Sequence, residues 1–417
     1  MSDIESKPGA SPLDRQDSRV RQDESVAGTL RGFIDRVRSG DLGSLPVIVG
    51  LIVIWTVFES LNSVFLGANN LVNLLFDSST VGVISLGIVC VLMVGEIDLS
   101  VGSVSGLASA IVGVLWVNGG WPVWLALPAA VVVGGAIGYI YAFLFNWLGM
   151  PSFVSTLAGL LAALGLQLYL LGDTGSINLP YGSGLVNFGQ MLVIPRPLAY
   201  VLALLPGLVL LIVGWRTASR RREAGLSAQP NWRLIAMAVA LIVVLELVVY
   251  YLNRDRGVPW MFALFVALTV ALNYALTRTK WGRSMTAIGG NREAARRAGI
   301  KVNAIYTSAF VLCAGFAALG GVLSAARLAS ASQQAGTGDV NLDAIAAAVI
   351  GGTSLFGGRG SAYSALLGII VIQSISSGLT LLDLPSSLRY MITGAVLAIA
   401  VIVDSLARRS RLSHGRG

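Results

Sequence analysis

The sequence predicts an all-α, polytopic integral membrane protein. Of its 417 residues, 55% are hydrophobic and only 12% are charged, whereas soluble domains carry about 25% charged residues. The apolar residues are gathered into long runs separated by polar stretches, and runs of about twenty residues can cross a bilayer as helices. This pattern predicts about 10–12 transmembrane helices, with some broken or re-entrant segments.

The chain is predicted to have a polar tail at each end of a transmembrane domain. Residues 1–43 carry mixed charge and no apolar signal-peptide core, so we expect a cytoplasmic and mostly disordered N-terminal tail. Apolar residues recur at helical spacing near 29–39, which predicts a short amphipathic helix on the inner membrane surface; a chance pattern in a linker is the alternative. Residues 44–406 form the transmembrane domain, and 407–417 form a basic cytoplasmic tail.

The apolar runs give the order of the predicted spans. Those at 100–117, 340–357 and 387–404 are short and Gly-rich or weakly bounded, so one or more of them is expected to be a half-span or re-entrant. The full set is 45–66, 72–94, 100–117, 122–148, 152–172, 195–215, 234–252, 258–276, 304–326, 340–357, 361–381 and 387–404.

Basic residues fix the predicted orientation. They cluster in 216–233, in 277–303 and in the C-terminal tail, and even numbers of spans separate these clusters. Because Lys and Arg are retained on the cytoplasmic side, both termini are expected there. The longest loop on the opposite side, 172–194, is turn-rich and is either a landing surface for a soluble protein or a passive connector.

Composition excludes several classes of protein. The net charge of +8 lies mainly in loops, so it reports topology and not nucleic-acid binding. The two cysteines, Cys90 and Cys313, both lie in apolar runs and predict neither a disulfide framework nor a metal site. The only histidine is His414 in the tail, which excludes a histidine-based hydrolase. A membrane enzyme would need clustered His, Cys or acidic residues, and the sequence shows no such cluster.

The basic loop at 277–303 contains a predicted short helix. Asn291 suits the N-cap position, Glu293 the first turn, Arg296 the last turn, and Gly299 the position just beyond. A helix this short cannot fold by itself, so we expect it to dock on another surface. The alternative is that the basic residues of the loop only determine the orientation of the membrane spans.

Two Gly-rich motifs lie inside apolar runs. The first is MVGEIDLSVGS, from Met93 to Ser103, which places two acids at the edge of a span. Asp98 is predicted to cap the following helix, with Ser100 or Ser103 assisting, and Glu96 has no assigned role. The second is AGTGDVNLDAIAAAVIGGTSLFGGRGS, residues 335–361, in which Asp343 is predicted to start a helix near the outer face.

The second motif is not a phosphate-binding loop, because no Lys follows its glycines and its flanks are apolar spans. The glycines instead permit tight turns and close approach of helices, and broken helices often mark a transport pathway.

These three stretches resemble the permease subunits of bacterial ATP-binding-cassette sugar importers, of the ribose/xylose branch. The resemblance lies in AIGGN-x-EAARxxGI within 283–300, in the GIDLSVG-like run at 96–102, and in LDAIAAxVIGGTSLxGGRG from residue 342. The chain departs from the usual pattern at Arg292, where Pro is commoner, and at Glu96, where Gly is commoner. The second departure is closer to the xylose-type branch.

The resemblance implies a permease that moves a monosaccharide, xylose or a related pentose, by alternating access. A separate cytoplasmic ATPase would bind ATP and Mg, so this chain needs no cofactor and is not an enzyme. A sugar-binding protein outside the membrane, a second permease copy and the lipid bilayer would be the other partners. The implied ATPase-coupling residues are Arg283, Gly289, Gly290, Asn291, Glu293, Ala294, Ala295, Arg296 and Gly299, and the implied pathway or broken-helix residues are Gly95, Glu96, Asp98, Ser100, Gly102, Ser103, Asp343, Gly351, Gly352, Thr353, Ser354, Gly357, Gly358, Arg359 and Gly360.

Alternatives remain open at this point. The same fold could carry ribose, another sugar, a signalling sugar or a nucleoside. An ion-coupled secondary transporter would need carboxylates at the midplane, and Glu59, Glu96, Asp98 and Glu246 are available but scattered. Polar residues at membrane depth are candidates for sugar contact, although each also suits helix packing: Asn70, Asn273, Tyr274, Gln373 and Ser377.

Overall fold

The structure is a computed structural model that describes residues 45–385 except 227 and 229, and residues 387, 388, 391, 392, 394, 395, 398 and 402. Within this part of the chain, nine helices are long and apolar enough to cross a bilayer. This confirms the predicted all-α membrane fold. The tails at 1–43 and 407–417 and the helix near 29–39 lie outside the described residues, as does most of the span predicted at 387–404.

The secondary structure follows the apolar runs closely. The first helices are α1 Leu45–Leu61, α2 Ala68–Met93, α3 Val101–Gly113 with a π-helical extension Val114–Asn118, α4 Val123–Trp147, α5 Ser152–Leu171, strand β1 Ser176–Asn178, α6 Gly184–Gln190, α7 Arg196–Glu223 and α8 Asn231–Leu252. Then follow α9 Trp260–Arg278, α10 Lys280–Gly290, α11 Arg292–Arg297, α12 Val302–Leu328, strand β2 Ser330–Ser332, α13 Val340–Ile350 and α14 Ala362–Leu381.

The described chain divides into two compact units. The smaller, Ile194–Gly257, is a hairpin of α7 and α8. Its helices approach closely where Gly207 meets Ile242 and where Gly214 meets Leu234. Only 17% of the most apolar 18-residue stretch of each helix is buried. Both helices therefore present apolar side chains outward, as lipid-facing helices do.

In the larger unit, α12 is the central helix. It packs against α2, α3 and α4. Of its most apolar 18-residue stretch, 67% is buried, and the same stretch is 78% buried in α2 and 22% buried in α4. Small residues allow the close approach: Gly134 of α4 faces Ala318, and Gly138 faces the backbone of Phe310 and Val311. Gly and Ala at such interfaces let helix backbones pack at short distance, which is how helices associate in membranes.

Two breaks interrupt the spans of this unit. The first separates α2, which ends at Met93, from α3, which begins at Val101. The second surrounds α13. The chain leaves β2, which pairs antiparallel with β1, and passes beside α3, with Ala335 next to Gly106 and Gly336 next to Gly102.

Asp343 lies in the first turn of α13, as the sequence predicts for a residue that starts a helix, and its place near the outer face stays a prediction. Helix α13 has 11 residues, so it is about 16 Å long and covers only half of a bilayer. Its end at Gly351 packs on Ser364, in the first turn of α14. Asp343 is therefore about 10 Å from that end. The chain between β2 and α13, residues 333–339, consists mostly of turns, so the predicted span 340–357 contains only a helix of half-span length.

Candidate functional site

The three motifs meet at one end of the larger unit, in a contact made of backbone. The N–H of Gly358 donates to the carbonyl of Met93 at 3.0 Å. A β-carbon on Gly357 would lie 2.8 Å from Cα of Gly95 and 3.0 Å from Cα of Gly289. We call this contact the glycine junction; its residues are Gly95, Gly289, Gly290, Gly357 and Gly358.

Glycine is required at four of the five junction residues, all except Gly290, for two reasons. Gly95, Gly357 and Gly358 have φ of +83°, +81° and +74°, a region that other residues adopt only with strain. Gly289 is in α10, where a β-carbon would overlap the Met93 carbonyl and the backbone nitrogen of Gly358. The junction therefore holds α10 directly against both breaks in the membrane spans.

Helix α11 follows the junction immediately and has the ends predicted for it. The side chain of Asn291 accepts from the N–H of Ala294 at 2.9 Å. Gly299 has φ of +81°, and the next N–H, that of Ile300, donates to the carbonyl of Ala295 at 3.1 Å. These contacts satisfy backbone groups that would otherwise be free at each end of a short helix.

The outer surface of α11 is charged and exposed. Glu293 pairs with Arg296 at 3.0 Å and with Arg297 at 3.3 Å, and the two arginine side chains are 70% and 79% exposed. The hydrogen bond from Arg296, assisted by the charges of Arg296 and Arg292 and by a hydrogen bond from Arg297, holds the pKa of Glu293 below its ordinary value. Only Ala295 of this helix is buried. Most of the α11 surface is thus available to a partner.

Arg292 anchors α11 to the helices behind it. Its guanidinium lies 5.5 Å from the ring centroid of Phe145 in α4 and 5.1 Å from that of Tyr306 in α12. Its charge also acts on Glu96 in the first break, whose side chain hydrogen-bonds to Ser152. The two departures from the commoner family pattern, Arg292 and Glu96, are therefore near each other and interact favourably.

Asp98 organises the first break. Its Oδ1 accepts from the backbone N–H of Ser100 at 2.8 Å and from the Ser100 hydroxyl at 2.7 Å. Ser100 is the N-cap residue of α3, so Asp98 binds the N–H at the cap and not one inside the helix. The N–H of Leu99, which lies between Asp98 and Ser100, donates to Thr156 Oγ1 at 3.2 Å. Ser103 is buried on α3.

The second break is a tight loop between α13 and α14. Thr353 and Ser354 are buried, and the N–H of Ser354 donates to the carbonyl of Arg359 at 2.9 Å. The residue Arg359 itself is exposed. Gly351 and Gly360 are in close contact with neighbouring segments, and Gly352 has φ of +108°. Asp343 and Gly102 lie in the first turns of α13 and α3, and Asn341 joins the two helices by accepting from the N–H of Gly102.

Gln167, which lies outside the three motifs, also holds the site together. The buried Gln167 of α5 donates to the carbonyls of Ser332 at 2.9 Å and Ala335 at 3.0 Å, which fixes the turns between β2 and α13. An amide in the middle of an apolar helix is the signal that could have identified it.

The polar residues proposed for sugar contact mostly join helices to one another. Ser377 donates to Asn70 at 3.0 Å, and Ser361 donates to Asn273 at 3.0 Å. Tyr274 is exposed and Gln373 is half-buried. Among the acids, Glu59 accepts from the N–H of Leu66 at 2.8 Å, which gives it a structural role. No group of three or more His, Cys, Asp or Glu that could hold a metal occurs among the described residues.

Comparison with known proteins identifies relatives along most of the chain. Residues 70–401 match the family model described as branched-chain amino acid transport system / permease component. The chain is 33% identical to the xylose transport system permease protein XylH of Escherichia coli (strain K12) over 91% of this chain and 95% of that protein. It is 29% identical to the ribose import permease protein RbsC of the same strain, over 86% and 92%, and 30% identical to its D-allose transport system permease protein AlsC, over 85% and 90%. No solved structure matches the chain.

Proposed function

The chain belongs to the branched-chain amino acid transport system permease-component family, and we propose that it is the permease of an ATP-driven importer of xylose or a related pentose. Similarity to a xylose permease over nearly the full length of both proteins supports this cargo. The chain is thus a multi-pass inner-membrane transport subunit. Because ribose and allose permeases are also among its relatives, the uptake experiment described below compares these sugars with xylose.

The observation that carries the mechanism is the glycine junction. It places α10 in backbone contact with both breaks in the spans, and α11 continues directly from α10. A partner that pushes α11 would therefore move the break at Gly95 and the break at Gly357 together. Displacement of broken helices is a common way for transporters to open one side of the membrane while closing the other.

The partner that pushes α11 is a separate ATPase that binds ATP and Mg on the cytoplasmic side. The exposed charges of Glu293, Arg296 and Arg297 offer it a polar docking surface. The arginines in α11 and at the end of α7 agree with a cytoplasmic position for both segments. With this orientation, both termini are also cytoplasmic.

The opposite side of the membrane would receive sugar from a soluble binding protein. The loop at 172–194 carries strand β1 and helix α6, so its shape is fixed and can present a defined surface. Gly189 of α6 packs on the backbone of Ala326 and Arg327 near the end of α12. Two copies of the permease would form the pathway, since two-fold symmetric dimers are the commonest homo-oligomers.

Radiolabelled pentose uptake tests the proposal. The chain is co-expressed with its neighbouring ATPase and binding protein in cells that lack their own pentose importer. We expect uptake that stops on ATP depletion and on omission of the ATPase. Uptake that persists without the ATPase and collapses with an uncoupler would instead establish an ion-coupled transporter. Competition by unlabelled ribose, allose and xylose identifies the cargo.

A further inference from the structure

One face of α2 carries a row of polar side chains that the junction does not use. Asn69, Asn73 and Asp77 are four residues apart, so they lie above one another on the helix. Nδ2 of Asn73 donates to Oδ1 of Asn69 at 3.1 Å. From α12, Arg327 donates through Nε to Oδ1 of Asp77 at 2.8 Å and through Nη2 to Oδ1 of Asn73 at 3.3 Å. We call these four residues the polar row.

The row extends to membrane depth. Helix α2 has 26 residues, so it is about 39 Å long, against an apolar bilayer core of about 30 Å. Asp77 is nine residues from the start of the helix, or about 14 Å. A helix centred in the bilayer therefore places the Asp77 carboxylate roughly 9 Å inside the apolar core. The Arg327 guanidinium, stacked 5.1 Å from the Phe76 ring centroid, is held at the same place.

The ion pair of the row is partly open. The Arg327 side chain is 20% exposed and the Asp77 side chain is 39% exposed. Charged groups at this depth are costly against lipid and normally face a cavity filled with water or another protein. By contrast, α4 and α5 expose Val, Leu and Phe side chains, as lipid-facing helices do. The polar face of α2 is thus unsuited to lipid.

We propose that the polar row lines the sugar pathway and binds sugar hydroxyls. This inference rests on the proposed transport function and adds the substrate-contacting surface to it. Asparagine amides accept and donate, Asp77 accepts, and the Arg327 guanidinium donates, so the row can bond hydroxyls of either polarity. The row is at the end of α2 remote from the glycine junction, with about 24 Å of helix between Asp77 and Met93. Sugar delivered from outside the cell would meet it before the junction.

Cysteine labelling distinguishes this role from a purely structural clamp. Native Cys90 and Cys313 are fully buried, so they give little background. Asn73→Cys and Asn69→Cys are made separately in the complete transporter. The Asn69→Cys variant keeps the Arg327–Asp77 pair intact. The control is Val132→Cys, because Val132 is 68% exposed on the apolar surface of α4. The probe is a charged, membrane-impermeant methanethiosulfonate, which reacts with thiols in water and not in lipid.

We expect the two row cysteines to react at least tenfold faster than Val132→Cys, and saturating pentose to slow that reaction at least fivefold. A sugar that the wild-type transporter does not carry should give no protection. Labelling no faster than that of Val132→Cys would overturn the inference, since the face would then be covered by protein or lipid. Fast labelling that no transported sugar slows would also overturn it. ATP-dependent uptake by the wild type is measured in parallel, so failure of the proposed function is seen separately.

Discussion

Replacing Gly289 with Ala tests the glycine junction, and Gly290 provides a matched control in the same helix. A β-carbon at Gly289 would lie closer than 3.0 Å to the Met93 carbonyl oxygen and to the Gly358 nitrogen, whereas one at Gly290 meets no heavy atom within 4 Å. Both neighbours of Gly289 are backbone atoms, so no side chain can rotate away. The two substitutions differ only in this contact.

The expected magnitude follows from two opposing effects. Ala stabilises a helix relative to Gly by up to about 1 kcal/mol at either position. Overpacking at a tightly packed site costs about 1–3 kcal/mol, and only Gly289→Ala meets it. Gly289→Ala should therefore weaken the native junction by about 1–2 kcal/mol, a factor of about 5–30, while Gly290→Ala should be neutral or slightly stabilising.

The assay combines ATP-dependent pentose uptake with the melting temperature of the purified protein in detergent. We expect Gly289→Ala to lower uptake at least fivefold and to lower the melting temperature. Gly290→Ala should retain uptake within twofold, with an unchanged or higher melting temperature. Equal behaviour of the two variants in both measurements would refute the view that the three segments are held together by backbone contact.

Three further predictions concern α11. Glu293→Lys, or a bulky residue at Gly299, should abolish uptake while leaving membrane insertion intact, because the first reverses a charge on the exposed face and the second strains a residue with φ of +81°; full uptake by these variants would contradict the coupling role. Arg292→Lys should reduce uptake although it keeps the charge, since a flexible ammonium does not stack on Phe145 and Tyr306 as a planar guanidinium does, and unchanged uptake would show that the stacking is dispensable. Because the pKa of Glu293 is lowered in the folded helix, its stabilising contribution should be complete near neutral pH and lost as the pH falls through its ordinary value of 4.5 and below; the hydrogen-exchange protection factors of residues 292–298, which correct for the pH dependence of intrinsic exchange, should fall there, and protection factors that do not change with pH in Glu293→Gln are the control.

Local features of this chain could be predicted because they depend on neighbours in sequence. The span limits follow from hydropathy, and the ends of α11 follow from Asn291, Glu293 and Gly299, each of which bonds or turns within a few residues. The contact of Asp98 with Ser100 is local too. In each case the interacting groups are separated by one or two helical turns.

The meeting of the three motifs could not be predicted in the same way. Gly95, Gly289 and Gly357 are far apart in sequence, and glycines carry no side-chain chemistry from which a partner could be inferred. The half length of α13 could not be predicted either, because the apolar run at 340–357 does not reveal that only its first 11 residues are helical. The interaction of Arg292 with Glu96 depends on the packing of α4 and α12, which hydropathy does not encode.

A junction made of backbone also determines which substitutions the protein can tolerate. Where side chains form an interface, a loss of volume at one position can be compensated by a gain at its neighbour. At Gly289 and Gly357 there is no side chain to exchange, because the opposing atoms are those of the main chain itself. A library randomised at these positions and selected for growth on pentose should return only glycine, and second-site changes in adjacent side chains should not rescue the losses. The exposed residues of α11, by contrast, can vary together with the surface of the partner proposed to dock there.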